Sequence, residues 1–213
     1  MSKTKLVVLM SGGIDSPVAA WRMINLECEA VLVHFHNYTS TGTNVKEKIV
    51  KLSEVLSKHQ PKIKLYLIPF KDVQTEIIKF IPSKLRMIIT RRMMLRIAEK
   101  VLEKEEAYAL VTGDNLAQVA SQTLENMRVI HKATKHPILT PLLGENKEDI
   151  IKTAKKIGTF ELSVMPYSDC CSFLVDKHPE TKAKLEVVES VEKNLKIADL
   201  VSLAFEKSEV TIS

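Results

Sequence analysis

Short apolar runs alternate with helical patterns along the first two-thirds of the chain. Unbroken apolar runs are typical of strands that are buried on both faces of a parallel sheet. These runs predict strands over residues 6–10, 30–35, 65–68 and 108–112, and a fifth short strand over 138–143. Strands separated by helices are joined by right-handed crossovers. The pattern therefore predicts an α/β fold with a doubly wound, open parallel sheet of about five strands.

The helical patterns fill the intervals between these strands and continue after them. A long helix is predicted over 83–104, and a later helix is expected to end at Gly158, a residue suited to the left-handed C-cap position. The segment 160–179 is interpreted as irregular. We expect one domain over residues 1–213, with a core over about 5–160, a cysteine-containing loop over 160–180 and C-terminal helices over 181–207.

The stretch Ser11-Gly12-Gly13-Ile14-Asp15-Ser16 joins the first predicted strand to the first helix. We expect Ser16 to be the N-cap residue and Pro17 to be the first helical residue. Backbone N–H groups and the positive end of the helix then converge on one point, which suits a phosphate group. The alternative is a glycine-rich turn that only makes the corner. No lysine follows the glycines, so this is not the phosphate loop of the GxxxxGKS/T type.

The helix predicted over 83–104 contains two adjacent arginines in different surroundings. Arg91 falls at the centre of the apolar face, whereas Arg92 shares a charged face with Arg96. On that charged face, ion pairs between residues three or four positions apart would account for Arg92. A guanidinium aimed at the interior needs an anionic partner, because it cannot release its proton. A nucleotide phosphate and a buried carboxylate would both serve Arg91.

Several polar residues follow directly after predicted strands. Ligands of open α/β sheets bind outside the carboxyl ends of the strands, and the glycine loop and the pair His34-Phe35 fall at that edge. Gly113 follows the fourth strand and is succeeded by amide and hydroxyl side chains as far as Gln122. For His34, a hydrogen bond to a neighbouring loop is the alternative to a ligand contact. The pattern predicts a ligand cleft at this edge.

Composition and charge narrow the class of protein. The 213 residues are 45% hydrophobic, which is enough for a full core. The longest apolar run is too short to cross a bilayer, and the N-terminus lacks the apolar segment of a signal peptide. We therefore expect a cytoplasmic protein without a membrane partner. The net charge of +5 permits a polyanionic partner without establishing one.

The chain has three cysteines, Cys28, Cys170 and Cys171, and they do not form the pattern of a disulfide framework. We interpret the adjacent pair as reactive thiols, with two structural thiols in a loop as the alternative. Cys28 is expected to pack at the end of the first helix. No CxxC or HxxxH spacing occurs, so nothing local indicates zinc.

The loop SGGIDS resembles the SGGxDS loop of the PP-loop ATP pyrophosphatases, which cleave ATP between its α- and β-phosphates. Four further segments extend the likeness over about residues 6–182, and together they resemble the PP-loop domain of the ThiI family of tRNA sulfurtransferases. These segments are RRMMLRIAE, VTGDNLAQVASQT, TPLLGENKEDIIKTAKKIGT and PYSDCCSFLVDKHP. Members of this family make 4-thiouridine and also serve thiamine synthesis.

The resemblance implies a set of site residues. Asp15 would bind Mg²⁺ and take part in catalysis, and Cys171 would be the catalytic thiol, with Cys170 as the alternate. ATP would contact the loop and the surrounding cleft, at Leu9, Met10, Ser11, Gly12, Gly13, Ser16, His34, Phe35, Arg91, Gly113 and Gln122.

The resemblance also implies a reaction and its partners. ATP would adenylate a uridine carbonyl of tRNA with release of pyrophosphate, and sulfur would then replace the oxygen. The sulfur would come from a persulfide donor such as a cysteine desulfurase or a rhodanese-type protein. The sequence contains none of the ferredoxin-like, THUMP and rhodanese regions of longer family members. We therefore expect RNA binding to need a separate RNA-binding subunit, an oligomer such as a homodimer, or the basic surface.

Three alternatives stay open at this point. Another PP-loop enzyme would adenylate a carboxylate or an amide and accept ammonia, and it would not need Cys171. A non-catalytic module would bind ATP and act with a separate RNA-binding protein. Thiazole formation for thiamine would use the cysteines with no need for the ATP chemistry.

Overall fold

Within the part of the chain that the structure describes, the sheet has six strands in the order β5-β4-β1-β2-β3-β6. The computed structural model describes residues 3–37, 43–116, 118–166 and 176–213. Five strands run parallel, as predicted, and β6 lies antiparallel to β3 at one edge. The strands are β1 (Lys5–Leu9), β2 (Glu29–His36), β3 (Lys64–Pro69), β4 (Ala109–Val111), β5 (Ile138–Leu139) and β6 (Glu209–Ile212).

Helices cover both faces of this sheet. One face carries α1 (Asp15–Asn25), α2 (Thr43–Ser57), α6 (Lys147–Ile157) and the short α7 (Phe160–Val164). The other face carries α3 (Lys71–Phe80), α4 (Arg86–Lys104), α5 (Leu124–His131), α8 (Leu185–Glu192) and α9 (Ile197–Glu206). In β1, Leu6 and Val8 pack on the first face and Val7 on the second, so consecutive positions are all apolar. The predicted doubly wound α/β class is confirmed.

The β1 strand lies where the direction of winding changes. β2 and β3 are added on one side of β1, and β4 and β5 on the other. Crossovers that leave in opposite directions open a crevice at the carboxyl ends of the central strands. The glycine loop follows β1 and therefore lies in this crevice.

The start of α1 differs from the prediction. The helix begins at Asp15, with Ile14 at the N-cap position, so Pro17 is the third helical residue. Proline is still tolerated there, because the first four N–H groups of a helix have no partner within it. Ser16 does not cap the helix. Its hydroxyl reaches back into the loop and accepts a hydrogen bond from the N–H of Ser11 at 3.0 Å.

Other helix and strand boundaries also differ from the predicted ones. A 3₁₀ turn over Ser83–Leu85 precedes α4, and the fifth strand ends at Leu139. The first C-terminal helix begins at Leu185 rather than at residue 181. Residues 160–164 of the segment predicted as irregular form α7. The edge strand β6 was missed because it has only four, mostly exposed residues, although its β-branched Val210, Thr211 and Ile212 favour a strand. It forms by pairing with β3.

The prediction for Arg92 is wrong. Its side chain is only 2% exposed, and its guanidinium donates two hydrogen bonds to Glu192 of α8 and a third to the carbonyl of Val129 in α5. Arg96 donates to the same carboxylate. The charged face of α4 is thus covered by a later helix, which a single-helix projection does not reveal. Among the described residues, no helix is long and apolar enough to span a membrane.

Candidate functional site

A cavity of about 450 Å³ opens at the carboxyl ends of β1, β2 and β4. Most of the predicted site residues line this cavity. The ones that do so are Leu9, Met10, Ser11, Asp15, Ser16, His34, Phe35, Arg91, Gly113 and Gln122. Gly12 and Gly13 belong to the loop that borders the cavity. The crevice predicted from strand order therefore exists and brings these residues together.

The loop between β1 and α1 is held by its two serines. The hydroxyls of Ser11 and Ser16 lie 3.2 Å apart, and the N–H of Gly13 donates to the hydroxyl of Ser11 at 3.3 Å. Gly12 has a φ of 82°, which glycine adopts without strain. A Cβ on Gly13 would meet the hydroxyl of Ser11 at 3.5 Å, which is ordinary contact. Packing therefore does not require glycine at position 13, and its bare backbone leaves room for an approaching ligand.

Gly113 packs against the start of α1. A Cβ at this position would lie 2.8 Å from the backbone nitrogen of Ser16 and 2.9 Å from its Cα. Both distances are shorter than real side chains tolerate, so only glycine fits here. This contact fixes the chain after β4 beside the glycine loop and sets the depth of the cavity between them.

Arg91 points into the cavity and is paired there with Asp114. One guanidinium nitrogen lies 2.5 Å from the carboxylate of Asp114, and the arginine side chain is 18% exposed. The hydroxyl of Thr112 donates to the same carboxylate at 2.8 Å, and the amide of Gln122 donates at 3.1 Å. Asp114 therefore supplies the buried carboxylate that the helix pattern allowed as a partner for Arg91, and the contact with a phosphate stays a prediction.

Asp114 is the charged residue of this wall that sequence reasoning missed as a partner for Arg91. Burial raises the pKa of its carboxyl group, but the charge and hydrogen bond of Arg91 and the bonds from Thr112 and Gln122 outweigh this effect. The net pKa is lower than that of an ordinary aspartate, so the group is ionised. The sequence signal that could have identified Asp114 as a cleft residue was its position directly after Gly113.

His34 lies on the floor of the cavity and is 3% exposed. Its Nδ1 atom is 2.8 Å from the carbonyl oxygen of Met10. Since a carbonyl can only accept, Nδ1 carries the proton. Phe35 packs edge-on against Phe70 at 5.5 Å between ring centroids. His34 thus makes the hydrogen bond to the start of the loop and also lines the cavity, and its contact with a ligand stays a prediction.

Asp15 and Lys147 form an ion pair at the edge of the cavity. The ammonium group of Lys147, the first residue of α6, lies 2.6 Å and 2.8 Å from the two carboxylate oxygens. Lys147 is the second residue that sequence reasoning missed, because it follows the predicted cleft segments by many positions. Within the described ranges, no cluster of three or more His, Cys, Asp or Glu side chains could hold a metal ion by itself.

Of the three cysteines, the structure describes Cys28. Cys28 is partly buried near the end of α1, where its thiol lies 3.9 Å from the carbonyl of Leu26. It does not line the cavity. Cys170 and Cys171 lie outside the described residues.

Comparison with known proteins identifies the family. A family model described as thiamine biosynthesis protein (ThiI) matches residues 1–197. The chain belongs to the ThiI family. The resemblance read from the loop and the four further segments is therefore confirmed.

Curated relatives of this ThiI-family chain are probable tRNA sulfurtransferases. The relative from Acetivibrio thermocellus is 44% identical over 209 residues, which cover 98% of this chain and 53% of that protein. The relative from Thermus thermophilus is 45% identical over 206 residues, or 97% of this chain and 51% of that protein. The chain thus spans about half the length of these relatives.

Solved structures share the fold. A 4-thiouridine synthetase in complex with RNA and bound ATP superposes with a TM-score of 0.93 at 37% identity, covering 98% of this chain and 55% of that one. An NMN synthetase from Francisella tularensis superposes with a TM-score of 0.59 at 12% identity, a likeness of fold alone.

Proposed function

We propose that this ThiI-family chain is the ATP-using part of a tRNA sulfurtransferase that converts a uridine of tRNA to 4-thiouridine. The observation that carries the proposal is the cavity itself, in which a glycine loop at a helix N-terminus faces Arg91 and His34. The relative of known structure with the same fold over 98% of this chain holds ATP and RNA. Supply of sulfur for the thiamine thiazole is a second proposed role, in keeping with the family name.

ATP would lie across the carboxyl edge of the sheet. The phosphates would meet the backbone N–H groups of Gly12 and Gly13 and the hydroxyls of Ser11 and Ser16, at the positive end of α1. Arg91 would bind a phosphate in addition to its carboxylate partner. The adenosine would contact the strand ends at Leu9, Met10, His34 and Phe35, with Gly113 and Gln122 on the opposite wall.

The residues at the cavity edge fit a magnesium ion that arrives with the nucleotide. Mg²⁺ is commonly held by one or two carboxylates together with substrate phosphates, and it keeps several waters. Asp15 provides one such carboxylate on the cavity wall. When bound, the ion would offset negative charge on the departing pyrophosphate. Lys147 already supplies one positive charge at this place.

The chemistry explains why ATP is needed. The C4 oxygen of uracil is a poor leaving group, and its attack on the α-phosphorus of ATP releases pyrophosphate and leaves AMP on the oxygen. A persulfide sulfur then attacks C4 and AMP departs. Cys171 would carry this sulfur, so C4 would then be joined to Cys171 through two sulfur atoms. Attack by the thiolate of Cys170 on the Sγ atom of Cys171 would break that S–S bond, release 4-thiouridine and leave a disulfide between the two cysteines; the roles can also be reversed. A dithiol reductant would reduce this disulfide before the next turnover.

The proposed partners follow from this sequence of steps. A persulfide donor of the cysteine desulfurase or rhodanese type would load the thiol, and tRNA would be held by an RNA-binding region beyond the residues of this chain or by a second copy. The protein would act in the cytoplasm, where thiols stay reduced.

The test uses the purified protein with ATP, Mg²⁺, sulfide and unmodified tRNA. Pyrophosphate release and the absorbance of 4-thiouridine are followed for the wild type, Asp15→Ala, Cys171→Ser and the control Cys28→Ser. Product that requires Asp15 and not Cys28 supports the proposal. ATP binding without pyrophosphate release, even when cell extract supplies other subunits, would favour a non-catalytic module. Pyrophosphate release driven by ammonia and a carboxylate, without tRNA, would favour a synthetase.

A further inference from the structure

Asn126 of α5 joins two segments of the chain by its side chain. It is fully buried, and its amide nitrogen donates to the carbonyls of Ala120 and Glu180, each at 2.7 Å. Its amide oxygen accepts from the N–H of Ala183 at 3.0 Å. Both amide protons and the amide oxygen are therefore used, all on backbone groups that belong to two separate segments.

Thr123 makes a second link between the same segments. Its hydroxyl donates to the carbonyl of Thr181 at 2.7 Å and accepts from the backbone N–H of Asn126 at 3.3 Å. Together, Thr123 and Asn126 form what we call the α5 clasp. The clasp contacts the backbone of Glu180, Thr181 and Ala183, three of the four residues over 180–183, within a stretch that lacks helix or strand.

Both segments joined by the clasp form walls of the cavity. Ala120, Ser121 and Gln122 line the cavity, and so does Pro179, next to Glu180. The two segments adjoin, since one nitrogen of Asn126 reaches the carbonyls of both Ala120 and Glu180. Ser121 and Gln122 also touch the charged pair of the wall, since Ser121 accepts from Arg91 at 3.5 Å and Gln122 donates to Asp114. Neither Asn126 nor Thr123 lines the cavity.

We propose that Asn126 is a positioning residue that holds two adjoining wall segments of the cavity together and thereby sets the affinity for the nucleotide. The inference rests on the proposed function, since it takes ATP to be the ligand of this cavity. Asn126 acts through backbone groups and touches no ligand. When the clasp is opened, Pro179 and the turn over Ala120–Gln122 separate, and Arg91 loses its fixed position against the phosphates.

The chemistry of the amide makes the proposal testable. Asn126→Asp keeps the acceptor for Ala183 but places a carboxylate oxygen against the carbonyls of Ala120 and Glu180, where a donor is needed. Gln60 provides a matched control, because its buried amide accepts from the N–H of Ala30 and donates to the carbonyl of the same residue, outside the cavity. Gln60→Glu introduces the same mismatch at that remote place.

The experiment measures the dissociation constant for ATP with Mg²⁺ by calorimetry, at a temperature where each variant is folded, together with the KM for ATP in the pyrophosphate assay. We expect Asn126→Asp to raise both by about tenfold, since a lost buried hydrogen bond and a tenfold change in affinity are of the same order. Gln60→Glu should lower the melting temperature and leave both constants at the wild-type value.

A second pair of variants covers the case in which Asn126→Asp does not fold. Thr123→Val removes only the link to Thr181 and the cap of α5, and Thr123→Ser restores the hydroxyl. Weaker ATP binding in Thr123→Val with recovery in Thr123→Ser supports the proposal. Wild-type affinity in Asn126→Asp, or in Thr123→Val if Asn126→Asp does not fold, overturns it. A wild type that does not bind ATP would instead refute the proposed function.

Discussion

Lys147 holds both carboxylate oxygens of Asp15, at 2.6 Å and 2.8 Å, although the two residues are 132 positions apart in the chain. The pair connects the first turn of α1 with the first turn of α6. Both side chains are partly exposed, so the pair contributes little to stability. Under the proposed function, the pair would lie beside the phosphates of the bound nucleotide.

The first prediction distinguishes the role of Asp15 from that of Lys147. Asp15→Asn removes the proposed carboxylate ligand, so we expect the Mg²⁺ concentration for half-maximal pyrophosphate release to rise about tenfold or more. Lys147→Met keeps the carboxylate and removes a cation near the phosphates. It should raise the KM for ATP with an unchanged Mg²⁺ midpoint.

Lys152→Met is the control for this experiment, because Lys152 lies on the same helix and pairs with Asp149 in solvent. It should match the wild type in both constants. A Mg²⁺ midpoint that moves equally in Lys147→Met and Asp15→Asn would argue against the metal role of Asp15.

The second prediction concerns the dependence of stability on pH at Arg91 and Asp114. Because the pKa of Asp114 is lowered in the folded protein, the pair stabilises above the ordinary aspartate pKa, and this stabilisation is lost as the pH falls through the lowered value. In Arg91→Met, burial of Asp114 is no longer opposed by the guanidinium. Its pKa should then lie above the ordinary value, which penalises the folded state at neutral pH.

Urea unfolding between pH 4 and 8 measures this effect. At neutral pH we expect Arg91→Met to lose on the order of 2 kcal/mol, and the difference from wild type should shrink as the pH falls. The double variant Arg91→Met with Asp114→Asn removes the charge and should recover part of the loss. A difference that does not vary with pH would contradict this explanation.

The third prediction treats the buried pair of Arg92 and Glu192 as a structural feature. Burial raises the pKa of Glu192, but hydrogen bonds and charges from Arg96 and Arg92 outweigh it and hold the net pKa below the ordinary value. Glu192→Gln leaves Arg92 buried without an anion and should cost about 3–5 kcal/mol in unfolding free energy.

Replacing both partners tests whether the loss of stability in Glu192→Gln comes from the unpaired buried charge of Arg92. Arg92→Met with Glu192→Met should cost less than Glu192→Gln alone, because Arg96 is partly exposed and can turn to solvent. The affinity for ATP should not change in either variant, since the hydrogen bonds of Arg92 and Glu192 reach neither a residue that lines the cavity nor the α5 clasp. A weakened ATP affinity at full folding would show that the pair also shapes the site.

The fourth prediction uses two glycines. Gly113→Ala drives a Cβ into the backbone of Ser16, so the chain after β4 must move away from α1. We expect a stability loss of about 1–3 kcal/mol and weaker ATP binding. Gly144→Ala places its Cβ in open space and strains only a φ of 85°, at a cost of about 1–2 kcal/mol. It should leave ATP binding unchanged, and equal losses of affinity would contradict the argument.

Sequence alone placed most of the cleft. Apolar runs located β1, β2, β3 and β4, and strand order then put the loop, His34 and Gly113 at the same edge, where the structure has them. This worked because each signal is local to one element, and parallel sheets bring all strand ends to one edge. The family resemblance could be recognised from the sequence for the same reason, because it depends on short continuous segments.

The residues that sequence reasoning misplaced or missed depend on contacts between distant parts of the chain. Arg92 was assigned to a charged face with ion pairs inside its own helix, because nothing in that segment indicates that α8 covers it. Lys147 is paired with Asp15, and β6 is paired with β3; in both cases the partner is far away in the sequence. Ser16 was assigned as a cap because serine often caps helices, but its hydroxyl bonds to Ser11 in the loop. No single-element pattern contains these pairings.

The contact of Gly113 with Ser16 has a consequence for how the molecule assembles. The two sides of the cavity follow β1 and β4, whose hydrogen-bonded pairing joins distant parts of the sequence. No early fragment of the chain can therefore contain a formed binding cavity, and a ligand that binds it stabilises the assembled sheet by mass action. Saturating nucleotide should then slow exchange of backbone amide protons in the central strands as well as at the loop.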